Sequence, residues 1–189
     1  MSTARKQATY EDLLALPDNV IGEIIAGELH VMPRPRVRHA SASSRLGVEL
    51  GGPFDRRPGG PDRPGGWILL DEPELHLGPD VLVPDLAGWR RERMPELPDE
   101  AFIDVSPDWV CEVLSPSTER HDRIAKMRAY ARERVGFVWL INPALQTLEV
   151  YAIEGDHYGL VGQFDGDGPV RAVPFDAVEL DLGAVWGKR

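Results

Sequence analysis

Two carboxylates lie in stretches of the sequence that are otherwise typical of a protein core. Glu112 stands within the apolar segment 109–114, and Asp85 follows Pro84 within a second apolar segment, 81–89. An acid buried among apolar side chains is destabilising unless a cation or several hydrogen-bond donors accompany it. If the two segments are neighbouring strands in matching register, the carboxylates face each other, and paired oxygen ligands suit Mg²⁺ or Mn²⁺. The sequence therefore predicts a divalent-metal site at Asp85 and Glu112.

A lysine on the element that follows Glu112 is placed to take part in this chemistry. Residues 119–134 are predicted to form a helix, on which Asp122, Lys126 and Tyr130 recur every four residues and so share one face. A lysine near two acids and a metal would position an attacking water or stabilise charge that develops on a phosphate. The alternative is an exposed pair of Asp122 and Lys126, which contributes little to stability.

Strands and helices along the rest of the chain must bring these residues together. The predicted elements are a helix at 9–16, a hairpin at 20–32, a helix at 37–50, strands at 67–77, 81–89 and 109–114, the helix at 119–134, and strands at 137–141, 147–153 and 158–164. Pro84 cannot donate to a strand ladder, so it needs a sheet edge, a bulge or a strand end, and a bulge would re-aim Asp85. The Gly- and Pro-rich residues 51–66 predict a surface loop within a single domain that spans residues 1–189.

Two further polar residues are secondary candidates for the site, as are Asp122 and Tyr130. Glu23 lies in the predicted hairpin close to its turn, where an acid is commonly exposed to solvent. His39 lies near the start of the helix at 37–50, where a histidine is commonly structural. For both residues the solvated or structural alternative stays open.

The composition is that of a soluble globular domain. Hydrophobic residues make up 42% and charged residues 28% of the 189 positions, which is enough apolar surface for one core. The sequence has no apolar run long enough for a membrane span and no apolar segment near its start of the kind a secretory signal needs. The single cysteine, Cys111, cannot form an internal disulfide. We therefore expect a cytoplasmic protein.

The charge balance argues against broad affinity for nucleic acid. The formal net charge is −10, whereas non-specific binding to a phosphate backbone needs a basic surface. The arginines are nevertheless clustered, so either a local basic groove or several solvated faces would explain them. The clusters are at 34, 36 and 38; at 56, 57 and 63; at 90, 91 and 93; and at 120, 123 and 128.

The order of several short motifs is specific. The chain contains VPD at 83–85, EVL at 112–114, SPST at 115–118 and VWLINP at 138–143, and the hairpin GEIIAGEL and the ending VELDLGAVW flank them. The helix with Asp122, Lys126 and Tyr130 lies between the last two of the inner motifs. In these motifs, which extend over most of the chain, the sequence resembles the Uma-type restriction endonuclease family of the PD-(D/E)XK nuclease superfamily.

The resemblance implies an α/β fold with a restriction-endonuclease-like core, in which helices flank a mixed β-sheet, together with the N-terminal helix and β-hairpin. It implies a Mg²⁺ site, with Mn²⁺ as a substitute, that hydrolyses phosphodiester bonds. Asp85 matches the aspartate of the PD half and Glu112 the acid of the (D/E)XK half, and Val113 would offer its backbone carbonyl to the metal. The superfamily's lysine position is Leu114 here, and Lys126 is the candidate to replace that lysine.

Three functions are consistent with these features. The first is a metal-dependent DNA endonuclease, in which Arg120, Arg123 and Arg128 hold backbone phosphates. The second is a catalytically weak or inactive module of the same fold that binds nucleic acid or a protein, which the acidic balance and Leu114 favour. The third is a hydrolase of a small phosphate or other ester, whose site the loop at 51–66 would cover. Because many nucleases cut two strands with two-fold symmetry, we also expect a homodimer.

Overall fold

The computed structural model of the protein describes residues 7–60 and 63–188. Helix α3 covers 119–132 and contains a π-helical turn, Asp122–Lys126, between Glu119–His121 and Met127–Arg132. The other elements in chain order are α1 (Tyr10–Leu14), β1 (Val20–Ile25), β2 (Glu28–Pro33), α2 (Val37–Phe54), β3 (Trp67–Asp71), β4 (Leu75–Leu77), β5 (Asp80–Leu82), β6 (Leu86–Arg90), β7 (Trp109–Val113), β8 (Phe137–Asn142), β9 (Thr147–Glu154), β10 (His157–Asp165), β11 (Pro169–Val170), β12 (Leu180–Asp181) and α4 (Leu182–Val185).

The strands in the described part of the chain form two larger sheets and a short ribbon of β11 and β12. One sheet has six strands in the order β10-β9-β8-β7-β6-β3, and the other has four in the order β2-β1-β5-β4. β7 and β8 are parallel, while the other neighbours in the six-stranded sheet are antiparallel, so this sheet is mixed. A parallel pair needs a crossover connection, and α3 provides it. The mixed sheet with flanking helices confirms the predicted α/β fold.

The N-terminal helix and hairpin form as predicted. The N–H of Thr9 donates to Asp12 Oδ2 at 2.8 Å, which caps the first turn of α1. β1 and β2 pair antiparallel, and the two turn residues, Ala26 and Gly27, have φ values of 53° and 76°. Two successive positive φ angles are typical of the type I′ turn, whose twist matches that of the flanking strands.

Helix α2 is longer than predicted. It continues from Val37 to Phe54, so the first four residues of the predicted loop at 51–66 are helical. Leu46, Leu50 and Phe54 are buried at four-residue spacing, and this apolar stripe outweighs the weak helix propensity of Gly51 and Gly52. Neither α2 nor another helix among the described residues is long and apolar enough to cross a membrane.

The prediction of one continuous strand was wrong for two segments. The segment 67–77 is divided into β3 and β4, and 81–89 into β5 and β6, with one part of each in the six-stranded sheet and the other in the four-stranded sheet. The breaks fall at Glu72-Pro73 and at Pro84-Asp85, where proline cannot continue a ladder. Of the three placements that suit Pro84, the structure shows the strand end, so Asp85 lies in a link between two sheets.

The six-stranded sheet separates two hydrophobic clusters. Trp109 of β7 belongs to the cluster that contains the buried sides of α2 and α4, whereas Val110 and Leu114 belong to the cluster that contains Tyr130 of α3. Side chains alternate across a strand, so Glu112 shares the face of Val110 and Leu114, as predicted. Because α3 covers that face, its residues are the ones that Glu112 meets.

Candidate active site

Glu112 lies at the centre of a buried hydrogen-bond network. Only 2% of the surface of Glu112 is exposed to solvent. The Tyr130 hydroxyl donates to Oε1 at 2.5 Å, and Lys126 Nζ lies 2.8 Å from Oε1 and 2.9 Å from Oε2. A carboxylate offers about four lone-pair positions, so Glu112 retains the capacity to accept one more ligand.

The predicted shared face of α3 is present, and it points into the protein. Asp122, Lys126 and Tyr130 are 4%, 3% and 0% exposed, so the alternative of an exposed Asp122–Lys126 pair does not apply. The π-helical turn lies between Asp122 and Lys126, and such turns recur at functional sites because they re-aim side chains within a helix. The crossover helix thus turns its polar stripe towards the acid of β7.

Lys126 has a complete set of acceptors. Besides Glu112, its Nζ lies 3.0 Å from Glu23 Oε1 and 3.2 Å from the carbonyl oxygen of Val83. An ammonium group has three N–H donors, and three acceptor groups surround this one. Burial lowers the pKa of Lys126, but the charges of Glu112, Glu23 and Asp122 outweigh burial and raise the pKa above its usual value.

Glu23 is buried completely, in contrast to the solvent-facing alternative for a hairpin acid. β1 lies between β2 and β5 in its sheet, and Glu23 is 0% exposed. Its Oε1 accepts the N–H of Val83 at 2.8 Å, and its Oε2 lies 2.9 Å from His121 Nε2. Burial raises the pKa of Glu23, but Lys126, His121 and the Val83 amide together hold it below its usual value.

Asp85 and His39 form the opposite side of the site. Asp85 Oδ2 accepts the N–H of Val113 at 2.7 Å and lies 3.3 Å from His39 Nε2. Burial lowers the pKa of His39, and the hydrogen bond and charge of Asp85 raise it overall. The amide of Val113, one residue after Glu112, therefore joins the two predicted halves of the site.

A cavity of about 510 Å³ opens over these side chains. Asp85, Glu112, Asp122 and Lys126 line it, and His39 lies at its wall. Basic and hydroxyl side chains lie along the same cavity, namely Arg34, Arg36, Ser115, Ser117 and Thr118. The cavity thus combines an acidic floor with groups that suit a phosphate.

The buried groups carry more negative than positive charge. Glu23, Glu112 and Asp122 are buried around the one ammonium of Lys126. Burial and the nearby Asp122, Asp85 and Glu23 raise the pKa of Glu112 well above its usual value despite Lys126, and burial also raises the pKa of Asp122. Such a cluster is stabilised either by bound protons or by a further cation.

The donor set fits a hard divalent cation that keeps several waters. Among residues 7–60 and 63–188, no three His, Cys, Asp or Glu side chains converge as a metal cage. Mg²⁺ commonly uses one or two carboxylates and completes its octahedron with waters and substrate oxygens. Asp85 and Glu112 at an open cavity suit that mode of binding, with the carbonyl of Val113 as the predicted third ligand.

The arginines predicted to hold phosphates differ in their contacts and in their exposure to solvent. Arg123 is engaged by acids: its guanidinium lies 2.7 and 2.8 Å from the oxygens of Glu149 and 2.9 Å from Glu119 Oε1. Arg120 and Arg128 are exposed. Arg34 and Arg36, between β2 and α2, are the arginines that line the cavity instead.

Comparison with known proteins gives one family match. Residues 8–183 match the model of the Uma2 family, whose description is "Putative restriction endonuclease". The chain belongs to the Uma2 family. The resemblance noted in the sequence motifs is thereby confirmed. No curated protein sequence matches the chain.

A solved structure has the same fold as this Uma2 chain. It is a crystal structure from Anabaena variabilis, described as "a putative nuclease belonging to DUF820". The two chains align with a TM-score of 0.76 and 21% identity, over 95% of this chain and 98% of that chain. At this identity, the likeness establishes the fold alone.

Sequence reasoning did not find His121 as part of the Uma2 chain's site. The residue lies next to Asp122 in the sequence, but its contact, Glu23, is 98 positions away. The run of charged residues at 119–123 gives no local signal that one histidine turns inwards. Val83 was not among the predicted site residues, yet its amide and carbonyl both contact the site.

Proposed function

We propose that this Uma2 protein is a Mg²⁺-dependent DNA endonuclease that hydrolyses phosphodiester bonds. The family and the nuclease fold support the reaction class. The observation that carries the proposal is the excess of buried carboxylates over the single ammonium of Lys126 beside an open cavity. A divalent cation would compensate this negative charge.

Asp85, Glu112 and the carbonyl of Val113 hold the metal in this proposal. Mg²⁺, for which Mn²⁺ is a possible substitute, supplies a Lewis acid for the phosphoryl oxygen and lowers the pKa of a bound water. His39 and the Val113 amide fix Asp85 from two directions. Tyr130 and Lys126 fix Glu112 and favour its ionised form, which keeps the capacity to accept one more ligand at the cavity.

The nucleic acid lies along the basic side of the cavity. Arg34 and Arg36 flank Pro35, whose fixed φ restricts the segment, and both line the cavity that contains the acids. Arginine contacts to backbone phosphates position a duplex without reading its sequence. A homodimer would present two such cavities to the two strands, and a sedimentation mass of twice 21.0 kDa is the result that this arrangement requires.

One observation favours the alternative of a catalytically weak or inactive module that binds nucleic acid or a protein. All three N–H groups of Lys126 have protein acceptors, and the superfamily's lysine position is Leu114. A lysine without a free N–H does not hold the attacking water directly. In the endonuclease proposal, Lys126 instead acts through Glu112, and this difference can be tested.

Plasmid cleavage separates the two functions. Supercoiled DNA is incubated with the wild type in Mg²⁺, in Mn²⁺ and in EDTA, beside Glu112→Gln. We expect metal-dependent nicking or linearisation by the wild type and a loss of about 100-fold or more in Glu112→Gln, because the amide replaces a charged ligand. Cleavage that Glu112→Gln retains in full would contradict the proposed site. Tight DNA binding without cleavage in either metal would favour the binding module.

A further inference from the structure

We infer that Glu23 and His121 form a positioning pair that fixes Lys126 and the segment that leads to Asp85. This inference deepens the proposed function and rests on it for its catalytic consequence. Neither residue contacts the cavity's proposed metal ligands directly; both act through Lys126 and Val83.

The hydrogen bonds of Glu23 join three elements at one carboxylate. Oε1 accepts the N–H of Val83 at 2.8 Å and lies 3.0 Å from Lys126 Nζ, and Lys126 in turn lies 3.2 Å from the Val83 carbonyl. These contacts close a triangle between β1, α3 and the link that follows β5. Val83 stands two residues before Asp85, so the triangle fixes one acid of the site while it aims Lys126 at the other, Glu112.

His121 holds the second oxygen of the same carboxylate. Its Nε2 lies 2.9 Å from Glu23 Oε2, and its ring packs against His30 with the centroids 4.4 Å apart. His30 is the residue opposite Glu23 in the β1–β2 pairing. A carboxylate held at both oxygens cannot rotate, so the direction in which it presents Oε1 to Lys126 is fixed.

The consequence for Lys126 follows from its donor count. With Glu23 in place, the three N–H groups are divided among Glu23, Glu112 and Val83. Glu23→Gln keeps the shape of the side chain and an acceptor oxygen but removes the negative charge. The ammonium of Lys126 is then held less firmly at this acceptor, because a neutral amide oxygen accepts a weaker hydrogen bond than a carboxylate.

The ammonium signal of Lys126 tests this inference without a metal or a substrate. The chain has three lysines, at 6, 126 and 188, so a ¹⁵N-lysine spectrum is simple and Lys126→Arg identifies the signal. A buried ammonium with three acceptors exchanges its protons slowly and gives a sharp signal. We expect Glu23→Gln to shift that signal and to broaden or abolish it, whereas Glu28→Gln, a change at an exposed acid of the same hairpin, leaves it unchanged.

Kinetics give the second readout. We expect Glu23→Gln to lower kcat by about 10- to 100-fold with little change in KM for DNA, because a supporting residue orients a catalytic group without contacting the substrate. If Glu23→Gln does not fold, His121 provides the second comparison. His121→Gln retains a donor for Glu23 and should keep the Lys126 signal and most of kcat, whereas His121→Leu should lose both.

The two readouts separate this inference from the proposed function. If Glu23→Gln and His121→Leu both leave the Lys126 signal unchanged, the positioning pair is overturned, whatever the cleavage result. An altered signal, together with no cleavage by the wild type, supports the positioning of Lys126 and counts against the endonuclease. An altered signal with kcat unchanged overturns the catalytic part of the inference.

Discussion

At Glu112, two donors stabilise a carboxylate that its surroundings otherwise disfavour. Burial and the neighbouring acids raise the pKa of Glu112, and Lys126 opposes them. Burial and the charge of Glu112 also raise the pKa of Tyr130 well above its usual value, so the hydroxyl remains protonated and continues to donate. We therefore expect the Tyr130 hydrogen bond to contribute both to stability and to activity.

Tyr130→Phe should lower both the free energy of unfolding and the cleavage rate. Loss of a hydrogen bond to a buried carboxylate costs about 1.5–3 kcal/mol, and a mispositioned ligand lowers activity by about 10-fold or more. Urea unfolding and plasmid nicking measure the two effects. Tyr158→Phe is the matched control, because its hydroxyl donates to the Val135 carbonyl at 2.7 Å away from the cavity. Equal losses of activity in both variants would contradict the assignment of Tyr130 to the site.

At the scale of elements, the crossover from β7 through α3 to β8 determines which side chains meet Glu112. An ion pair outside the cavity fixes this helix against the sheet: Arg123 of α3 forms two hydrogen bonds with Glu149 of β9. Hydrogen bonds from Arg123 lower the pKa of Glu149. Because the folded pKa lies below the unfolded one, the contribution of Glu149 to stability is present above its usual pKa of 4.5 and is lost as the pH falls through the folded pKa.

Replacing Glu149 should therefore remove a pH-dependent part of the stability. We expect Glu149→Gln to be less stable than the wild type at about pH 6, and the difference to shrink towards about pH 3 as Glu149 of the wild type becomes protonated. Urea unfolding followed by tryptophan fluorescence measures this difference. Glu96→Gln, at an exposed position, serves as the control and should change little. A difference that stays constant with pH would show that the Arg123–Glu149 charges do not link α3 to β9.

The whole molecule carries a net negative charge, and a few basic residues lie beside the acidic floor of the cavity. The net charge of −10 weakens non-specific attraction to nucleic acid, so in the proposed function binding would depend on these few basic residues. Arg34 donates to the Asp18 carbonyl at 3.0 Å, which directs part of its guanidinium away from the cavity. Arg36 is exposed at the start of α2 and is the better placed of the two for a phosphate.

Arg36→Ala should weaken DNA binding equally for unrelated sequences. One lost phosphate contact lowers the slope of log K against log salt by about 1. Fluorescence anisotropy at several salt concentrations, with Ca²⁺ in place of Mg²⁺ to prevent cleavage, measures the slope. Arg57→Ala is the control, because Arg57 is exposed in the Gly- and Pro-rich loop and does not line the cavity. A slope that changes in Arg57→Ala and not in Arg36→Ala would place the DNA elsewhere.

Several features of this protein follow from the local periodicity of its sequence. The alternation of β7 places Glu112 with Val110 and Leu114, and four-residue spacing places Asp122, Lys126 and Tyr130 on one face of α3. The order of motifs also indicated the family, which the match over residues 8–183 confirms. These properties are readable without knowledge of which strands pair.

The positions of the other site residues depend on which distant segments of the chain pair with each other. The division of 67–77 and 81–89 between two sheets depends on pairing partners that are distant in sequence, and this division places Asp85 in a link instead of a strand. The burial of Glu23 requires β5 beside β1, and its contact with His121 spans 98 positions. Hydrophobic pattern is a local property, whereas the pairing of a buried charge is set by whichever element the complete fold brings against it.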